Sequence, residues 1–151
     1  MTIGIKPDFP STGYGYLKQG EAIRSCSRPV HRVERFVEKP NLEKAEQYME
    51  EGGYFWNAGM FIWRPSVILS AIQKHAPELS SGLDELSQSW EQSGSVAEAM
   101  KQVYPHLHKI SIDFAVMEKA EGVVMLESAF DWDDVGEWPA IARHYPADGD
   151  G

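Results

Sequence analysis

The chain has 151 residues, of which 42% are hydrophobic and 25% are charged, and its formal net charge is −9. These values are typical of one soluble globular domain. The excess of acidic residues argues against a nucleic-acid-binding protein, which must neutralise a row of phosphates. Cys26 is the only cysteine, so an intrachain disulfide is excluded and a cytoplasmic location is expected. The longest apolar run, residues 58–63, is too short for a membrane span, and we expect no secretion signal.

The first half of the chain contains the patterns of four strands and one helix. Three strands are predicted in TIGIKP, TGYGYLK and VHRVERFVEKP, at residues 2–7, 12–18 and 30–40. Asn41 is placed to cap a helix that Gly52 and Gly53 end. A buried strand is then predicted in AGMFIWR, with Asn57 immediately before it.

The second half is mainly helical. Pro65 begins one helix, the stretch 77–104 has a broken helical pattern, and SIDFAVMEKA is predicted to form a short helix. The strand GVVMLES, an acidic loop and the closing helix EWPAIARHY follow. Because strands alternate with helices, the sequence predicts an α/β fold in which helices flank a sheet. We expect residues 1–145 to form one structured unit and 146–151 a disordered tail.

Candidate ligand-binding residues lie where the predicted strands end, which is where ligands gather in open α/β sheets. TGYGY contains Gly15, whose bare backbone can approach a ligand, although a bulged hairpin explains it equally well. Glu38 and Lys39 suit sugar hydroxyls and a phosphate, or they are solvated charges that point to opposite faces of a strand. Asn57 either turns the chain or reads a hydroxyl.

The segment FDWDDVGEW crowds four carboxylates among aromatic residues: Asp131, Asp133, Asp134 and Glu137. Such crowding costs free energy because like charges repel and apolar neighbours remove hydration. A helix N-terminus, a solvated turn and chance in an acidic chain are the ordinary explanations. The alternative is a cation, such as a metal ion, bound at this loop.

Other chemistry is not supported. His75, His106 and His108 lack the further ligands that a zinc site needs. Ser111 and Asp113 are predicted to cap a helix, because no G-x-S-x-G motif accompanies them. The sequence contains neither a Walker loop nor G-x-G-x-x-G, so it shows no phosphate-binding loop of its own.

Five motifs together resemble one enzyme family. The order and spacing of these motifs closely resemble those of the mannose-1-phosphate guanylyltransferases (GDP-mannose pyrophosphorylases). The motifs are TGYGY, RFVEKP, YFWNAGMFIW, SIDFAVMEKA and FDWDDVGEW. The resemblance implies a nucleotide-diphospho-sugar transferase fold, which is a Rossmann-like mixed sheet flanked by helices. It also implies a magnesium-dependent reaction in which mannose 1-phosphate attacks the α-phosphorus of GTP, giving GDP-mannose and pyrophosphate.

The resemblance also implies roles for six residues. Gly15 approaches the sugar through its backbone, Glu38 and Asn57 bind sugar hydroxyls, and Lys39 reaches the phosphate as a catalytic and substrate-binding residue. Asp134 is the second metal ligand and also catalytic, and it would hold Mg²⁺. Trp132 shapes the sugar side of the site.

The family's glycine-rich triphosphate loop, base-reading segment and first metal aspartate have no counterpart in this sequence. We therefore expect the sugar-phosphate half of a catalytic domain, a partial transferase fold that is inactive alone and meets GTP only with the missing N-terminal half. A non-catalytic sugar-phosphate-binding or oligomerisation remnant is the alternative. Half a sheet would expose an edge, so self-association is also expected.

Overall fold

The computed structural model describes residues 1–23, 28–136, 138–142, 144–145 and 149. Cys26, Glu137 and most of the predicted disordered tail, 146–148 and 150–151, lie outside the described residues. In the described part of the chain five strands form one sheet: β1 (Thr2–Ile5), β2 (Tyr16–Ala22), β3 (Val30–Val37), β4 (Tyr54–Phe61) and β5 (Val124–Glu127).

Helices fill most of the remaining described chain. They are α1 (Leu42–Glu51), α2 (Pro65–His75), α3 (Pro77–Ser93), α4 (Val96–Val103) and α5 (Trp138–Ala142), with a 3₁₀ turn at Tyr104–His106 and a π-helical turn at Asp113–Met117. The predicted cap of α1 is confirmed, since the Lys44 N–H donates to the Asn41 side-chain oxygen at 3.0 Å. Gly52, with φ of 69°, follows the last residue of α1. No helix of the described chain is both long and apolar enough to cross a membrane.

The sheet is mixed, as the sequence predicts. Its strands pair in the order β1–β4–β2–β3–β5, and β5 returns to pair with β1. The β1–β5 pair is parallel, with Thr2 opposite Met125, whereas the other four pairs are antiparallel. The pairing of β2 with β3 is irregular near Gln19, and the first residues of β3 pair with β2 on one edge and with β5 on the other, as His31 does with Ala22 and Met125. Strand pairing therefore closes on itself.

This closure corrects the expectation of a fully exposed sheet edge. Within the described residues each of the five strands pairs with two others. Unpaired edges remain along parts of the strands. They include residues 58–61, where β4 pairs with β1 but has passed the end of its pairing with β2, and residues 34–37, where β3 pairs with β2 but has passed the end of its pairing with β5. The sequence could not show this, because the pairing of β3 with β5 joins segments far apart in the chain. Self-association stays a prediction.

Aromatic side chains cover both faces of the sheet. Tyr16 and Trp56 lie on one face in a cluster with Tyr48 of α1. Their chain neighbours Leu17 and Phe55 point to the other face and pack in a second cluster, as the alternation of a strand requires. Tyr16 and Leu17 are both 0% exposed. The middle of β2 and the start of β4 are thus fixed from both sides, and the candidate site lies at this fixed region.

Three predicted elements differ clearly from those observed. The strand predicted at 12–18 lies four residues later, at Tyr16–Ala22. The buried strand predicted at 58–64 begins at Tyr54 and ends at Phe61, so that Asn57 lies inside β4, and only its first four residues are buried. The aromatic residues at 54–56 fill both faces of the sheet there, which extends the strand backwards. The predicted helix SIDFAVMEKA is shorter and wider than expected, a π-helical turn of five residues. Such turns are rare and often occur at functional sites.

Candidate functional site

All six residues that the resemblance implicates surround one hollow. This hollow, the Glu38 pocket, has a volume of about 290 Å³ and is lined by Gly15, Glu38, Lys39, Asn57, Trp132 and Asp134 together with five further residues, Gly13, Tyr14, Ala58, Gly59 and Asp113. The sequence suggested that each of these residues follows the carboxyl end of a strand. This is not the case for all of them. Gly15 precedes β2 and Asn57 lies within β4.

Antiparallel pairing explains why these residues nevertheless meet. Tyr16 pairs with Val37 in the β2–β3 ladder, which brings the start of β2 beside the end of β3. Gly15 and Glu38, the next residues outward, therefore become neighbours. On the other side of β2, the Asn57 N–H donates to the Gly15 carbonyl at 2.7 Å. The three residues form a continuous patch across three strands.

Gly15 is required by the close approach of the Glu38 side chain. A Cβ atom at this position would lie 2.6 Å from Glu38 Oε2, 3.3 Å from Phe36 Cζ and 3.4 Å from Asn57 Cβ. Side chains do not tolerate the first of these distances, so a substitution would displace the carboxylate. The absent side chain at position 15 is what allows Glu38 to lie over the strand.

Glu38 is held at the end of β3. Its backbone N–H donates to Glu118 Oε1 at 3.0 Å, and its side chain is 12% exposed. Burial raises the pKa of the Glu38 carboxyl above its ordinary value, and the negative charges of Asp113 and Glu118 add to this effect while Lys39 opposes it. The pocket therefore contains a carboxylate that is poorly hydrated and ready to accept hydrogen bonds.

Lys39 lies on the same side as Glu38, which corrects the expectation that the two point to opposite faces. β3 ends at Val37, and Lys39 has a left-handed backbone with φ of 45°. This conformation is uncommon for a residue with a side chain and breaks the alternation of the strand. Lys39 Nζ lies 4.0 Å from Glu38 Oε1, and its side chain is 61% exposed. The ammonium group is thus close to the pocket but not fixed.

Asn57 is the most enclosed polar residue of the pocket, with 8% exposure. Its Oδ1 accepts a hydrogen bond from the buried Thr2 hydroxyl at 2.8 Å. Its Nδ2 lies 3.5 Å from Asp113 Oδ1. The amide side chain is therefore held between a donor on β1 and an acceptor on the π-helical turn.

Asp113 is a site residue that the sequence did not reveal. Its predicted role as a helix cap is wrong, because the π-helical turn has no side-chain cap and Ile112 occupies the cap position. Asp113 lines the Glu38 pocket instead, and it also lines a shallow neighbouring hollow with Lys109 and His108. A signal was available, since SIDFAVMEKA is one of the five shared motifs and Asp113 is one of its two acidic residues.

The acidic loop divides its carboxylates among different surroundings. Asp134 is exposed at the mouth of the Glu38 pocket. Asp133 accepts from Tyr14 OH at 3.5 Å, and its Oδ2 lies 2.7 Å from His144 Nε2. Asp131 and Asp133 both line a separate cavity of about 670 Å³, which Trp132 also lines. Of the three described carboxylates only Asp134 lies on the Glu38 pocket.

Trp132 separates the Glu38 pocket from this larger cavity and lines both. Its ring meets the Tyr14 ring edge-on, with centroids 5.4 Å apart, and Tyr14 contacts Trp56 in the same manner at 5.0 Å. These contacts connect the loop to the buried aromatic cluster. The loop is anchored at Trp132, while Asp134 two residues later remains exposed.

A family model for "Nucleotidyl transferase" matches residues 1–150. The chain belongs to the nucleotidyl transferase family. Among relatives of this family, the mannose-1-phosphate guanylyltransferase of Sinorhizobium fredii is 35% identical over 151 residues, covering 100% of this chain and 29% of that protein. The enzyme of the same name from Escherichia coli K12 is 34% identical over 142 residues, covering 93% of this chain and 30% of that protein.

Solved structures of two proteins show the same fold. A Thermus thermophilus protein described as a mannose-1-phosphate geranyltransferase superimposes with a TM-score of 0.78 and 37% identity, covering 97% of this chain and 40% of that one. A Helicobacter pylori protein described as a mannose-6-phosphate isomerase gives a TM-score of 0.68 with 28% identity, covering 88% of this chain and 50% of that one. The expected family and its mixed α/β fold are confirmed. The chain spans about 30% of the length of its curated relatives.

The described residues of this nucleotidyl transferase chain fit magnesium only as part of a site. They contain no group of three or more His, Cys, Asp or Glu side chains that could hold a metal ion. Mg²⁺, however, is commonly bound by one or two carboxylates together with substrate phosphates and water. The exposed carboxylate of Asp134, at the mouth of a pocket that also contains Lys39, suits that arrangement.

Proposed function

We propose that this chain forms the sugar-phosphate side of a mannose-1-phosphate guanylyltransferase. The parent reaction converts GTP and mannose 1-phosphate into GDP-mannose and pyrophosphate. The observation that carries the proposal is the convergence of Gly15, Glu38, Lys39, Asn57 and Asp134 on one pocket. The names of the relatives support the same substrate.

The inner part of the pocket suits sugar hydroxyls. Glu38 and Asp113 supply carboxylate oxygens, which accept hydrogen bonds, and the Asn57 amide supplies N–H donors. A hydroxyl both donates and accepts, so it can satisfy a carboxylate and the amide together. A hydroxyl-rich ligand would also stabilise the poorly hydrated Glu38 carboxylate.

The outer part of the pocket suits a phosphate. Lys39 is the cation at this site, and its mostly exposed side chain is free to turn towards a ligand. Its separation of 4.0 Å from Glu38 makes a weak ion pair that would not compete strongly. We propose that Lys39 neutralises the phosphate of mannose 1-phosphate and holds its attacking oxygen in place.

Asp134 would hold Mg²⁺ together with ligand phosphate oxygens. When bound, the ion would supply positive charge that neutralises the phosphates of the reactants. Trp132 fixes the loop that carries Asp134 through its contact with Tyr14. Within this proposal the chain contributes orientation of the sugar, exclusion of water beside Trp132 and one carboxylate for the metal.

Turnover by the isolated chain is not expected, because its sequence has no glycine-rich loop for the triphosphate. Purified chain incubated with GTP, Mg²⁺ and mannose 1-phosphate should release no pyrophosphate in a coupled phosphate assay. A full-length guanylyltransferase assayed in parallel confirms that the reagents work. Pyrophosphate release by the chain alone would contradict this part of the proposal.

Retained sugar recognition is tested by isothermal titration with mannose 1-phosphate. The unaltered chain should bind, and Glu38→Ala should abolish binding because it removes the carboxylate that accepts the hydroxyl hydrogen bonds. Glu50→Ala, on the exposed face of α1, is a matched control that should bind normally. Complete absence of binding would refute the sugar-phosphate function and leave a structural remnant.

We further propose that the chain self-associates in a cytoplasmic setting through the short β4 edge at 58–61. Met60 is 37% exposed on this edge and Ile62, which follows it, is 52% exposed. Unpaired strand edges with apolar side chains recruit partners. Sedimentation velocity should show concentration-dependent association, and Met60→Lys should weaken it. A monomer at every concentration would contradict this.

A further inference from the structure

The buried residue Thr2 lies directly behind the Glu38 pocket. It is 0% exposed and opens β1. Its hydroxyl donates to Asn57 Oδ1 at 2.8 Å and lies 3.3 Å from the Met60 carbonyl. Thr2 does not line the pocket, so any effect on a ligand must pass through Asn57.

Thr2 alone does not fix which way the Asn57 amide points. If the amide turned over, its nitrogen could donate to the Thr2 oxygen, and the Thr2 proton could move to the Met60 carbonyl. Both arrangements satisfy the hydrogen-bonding groups on this side. The orientation must therefore be decided on the other side of the amide.

Asp113 decides it. Its Oδ1 lies 3.5 Å from Asn57 Nδ2, so a turned amide would place its oxygen against a carboxylate. Two acceptors facing each other repel in a poorly hydrated pocket. With the nitrogen facing Asp113, one of its two protons is directed towards that carboxylate. The second proton is left for an oxygen of a ligand, since the structure gives this nitrogen no other partner among the described residues.

We infer that Thr2 and Asp113 are positioning residues: Thr2 anchors the Asn57 amide, and Asp113 turns its nitrogen towards the pocket. Together they select a sugar hydroxyl at that place. This inference rests on the proposed function, because it names the specificity of the same site. A hydroxyl placed there accepts from Asn57 and donates to a carboxylate, whereas a hydrogen atom at the same carbon leaves both unpaired. Discrimination against the deoxy sugar follows.

The first test needs no ligand. In ¹⁵N-correlated NMR spectra the unaltered chain and Thr2→Ser, which keeps the hydroxyl, should each show one pair of Asn57 side-chain amide protons. Thr2→Val keeps the shape but removes the donor, and Asp113→Asn removes the repulsion. Thr2→Val should broaden the Asn57 signals because the anchor of the amide is lost, and Asp113→Asn should double them because both orientations are then populated. Sharp unaltered signals in both variants would overturn the inference.

The second test measures selectivity. Titration with mannose 1-phosphate should show about five- to tenfold weaker binding for Thr2→Val, the loss expected for one hydrogen bond, and less than about twofold change for Thr2→Ser. The monodeoxy mannose 1-phosphate that lacks the hydroxyl facing Asn57 should bind the unaltered chain more weakly than mannose 1-phosphate does. Thr2→Val should bind the two sugars with equal affinity. A merely structural role of Thr2 would lower both affinities together, and that result would overturn the inference.

The two tests separate the inference from the proposed function. If the unaltered chain binds no mannose 1-phosphate, the sugar function fails, while the NMR spectra still decide whether Thr2 and Asp113 hold the amide. If the unaltered chain and Thr2→Val bind mannose 1-phosphate with the same affinity and the same preference over the deoxy sugar, only the inference fails. Thermal unfolding of each variant confirms that the chain remains folded in both tests.

Discussion

The floor and the rim of the Glu38 pocket are built differently. The floor is formed by Gly15, just before β2, and Asn57 of β4, with Thr2 and Gly4 of β1 behind them. The rim is the loop 128–136, which carries Trp132 and Asp134. Thr2 is 0% and Asn57 8% exposed, whereas on the rim Phe130 is 51% and Val135 55% exposed. Hydrogen bonds between strands fix the floor, while the rim has no regular secondary structure.

The rim is fastened at particular points. The Ser128 N–H donates to the Gly4 carbonyl at 2.9 Å, and Trp132 contacts Tyr14. Beyond Trp132, Asp134 projects from the exposed part. The comparison indicates that strand pairing fixes the geometry of the proposed hydroxyl site, whereas the proposed contribution of Asp134 depends on the ligand that binds. Substitutions should separate the two regions by their effects on stability and on ligand binding.

The largest expected effect breaks the floor at Gly4. A Cβ atom there would overlap Met125 Sδ and lie 3.1 Å from Phe55 Cβ. Gly4→Ala should therefore lower the free energy of unfolding by about 1–3 kcal/mol, as overpacking of cores does, in urea titrations followed by tryptophan fluorescence. Gly13→Ala is the control, because its Cβ would meet only Ser11 Oγ at 3.7 Å. Equal stability of the two variants would show that the floor is not tightly packed.

Gly15→Ala should damage binding more than stability. The new methyl group would displace the Glu38 carboxylate, whose Oε2 lies 2.6 Å from the Cβ position. Because hydrogen bonds to a charged group contribute about 1.5–3 kcal/mol, the affinity for mannose 1-phosphate should fall at least about tenfold in calorimetric titrations. Glu50→Ala on the exposed face of α1, away from the pocket, serves as the control. Normal affinity in Gly15→Ala would mean that Glu38 does not contact the ligand.

Substitution of the rim should leave stability unchanged. Asp134→Asn should alter the free energy of unfolding by less than about 0.5 kcal/mol, because the side chain is exposed. It should abolish any strengthening of mannose 1-phosphate binding by Mg²⁺, which titrations with and without the ion measure. Asp131→Asn, which faces the other cavity, should retain that strengthening. Loss of the magnesium effect in both variants would argue against a specific role for Asp134.

The smallest expected effect is a pH-dependent gain of stability in Glu38→Gln. The pKa of Glu38 is raised above its ordinary value of 4.5, first by burial. The folded chain therefore binds this proton more tightly than the unfolded chain, and stability is lost as pH rises through the raised pKa. Glutamine removes this loss, so the variant should gain stability relative to the unaltered chain between pH 4 and pH 7.

Urea titrations at the two pH values measure this gain. Glu50→Gln on the exposed face of α1 is the matched control and should show no such trend. A stability difference between Glu38→Gln and the unaltered chain that does not change with pH would contradict the prediction. Glu38→Gln should also bind mannose 1-phosphate less well, because glutamine removes the carboxylate that is proposed to accept hydrogen bonds from the sugar.

Much of the fold could be predicted from local signals. The Asn41 cap and Pro65 at the start of α2 depend on neighbouring residues, and the structure confirms them. All five strands exist, although the second and fourth are shifted along the chain from their predicted positions. The family was predictable because five motifs occur in order. The roles of the six pocket residues stay predictions, although the structure brings those residues together.

The remaining features depend on contacts between distant segments or on unusual backbone. A strand-like sequence pattern does not indicate the left-handed conformation of Lys39. The pattern therefore predicts that its side chain points away from Glu38, which is wrong. Asp113 looked like a helix cap because short acidic residues usually have that role before a helix. Asp113 and Asn57 are 56 positions apart in the chain, and no local sequence pattern indicates that they lie close together.

The closing seam between β1 and β5 has a consequence for synthesis of the protein. Thr2, near the beginning of the chain, pairs with Met125, near its end. Such distant partners fold slowly because almost the whole chain must be brought together. On the ribosome β1 emerges long before β5, so the side of β1 that pairs with β5 stays exposed until β5 has been made. Molecular chaperones that shield nascent strands should therefore affect the yield of this chain more than its final stability.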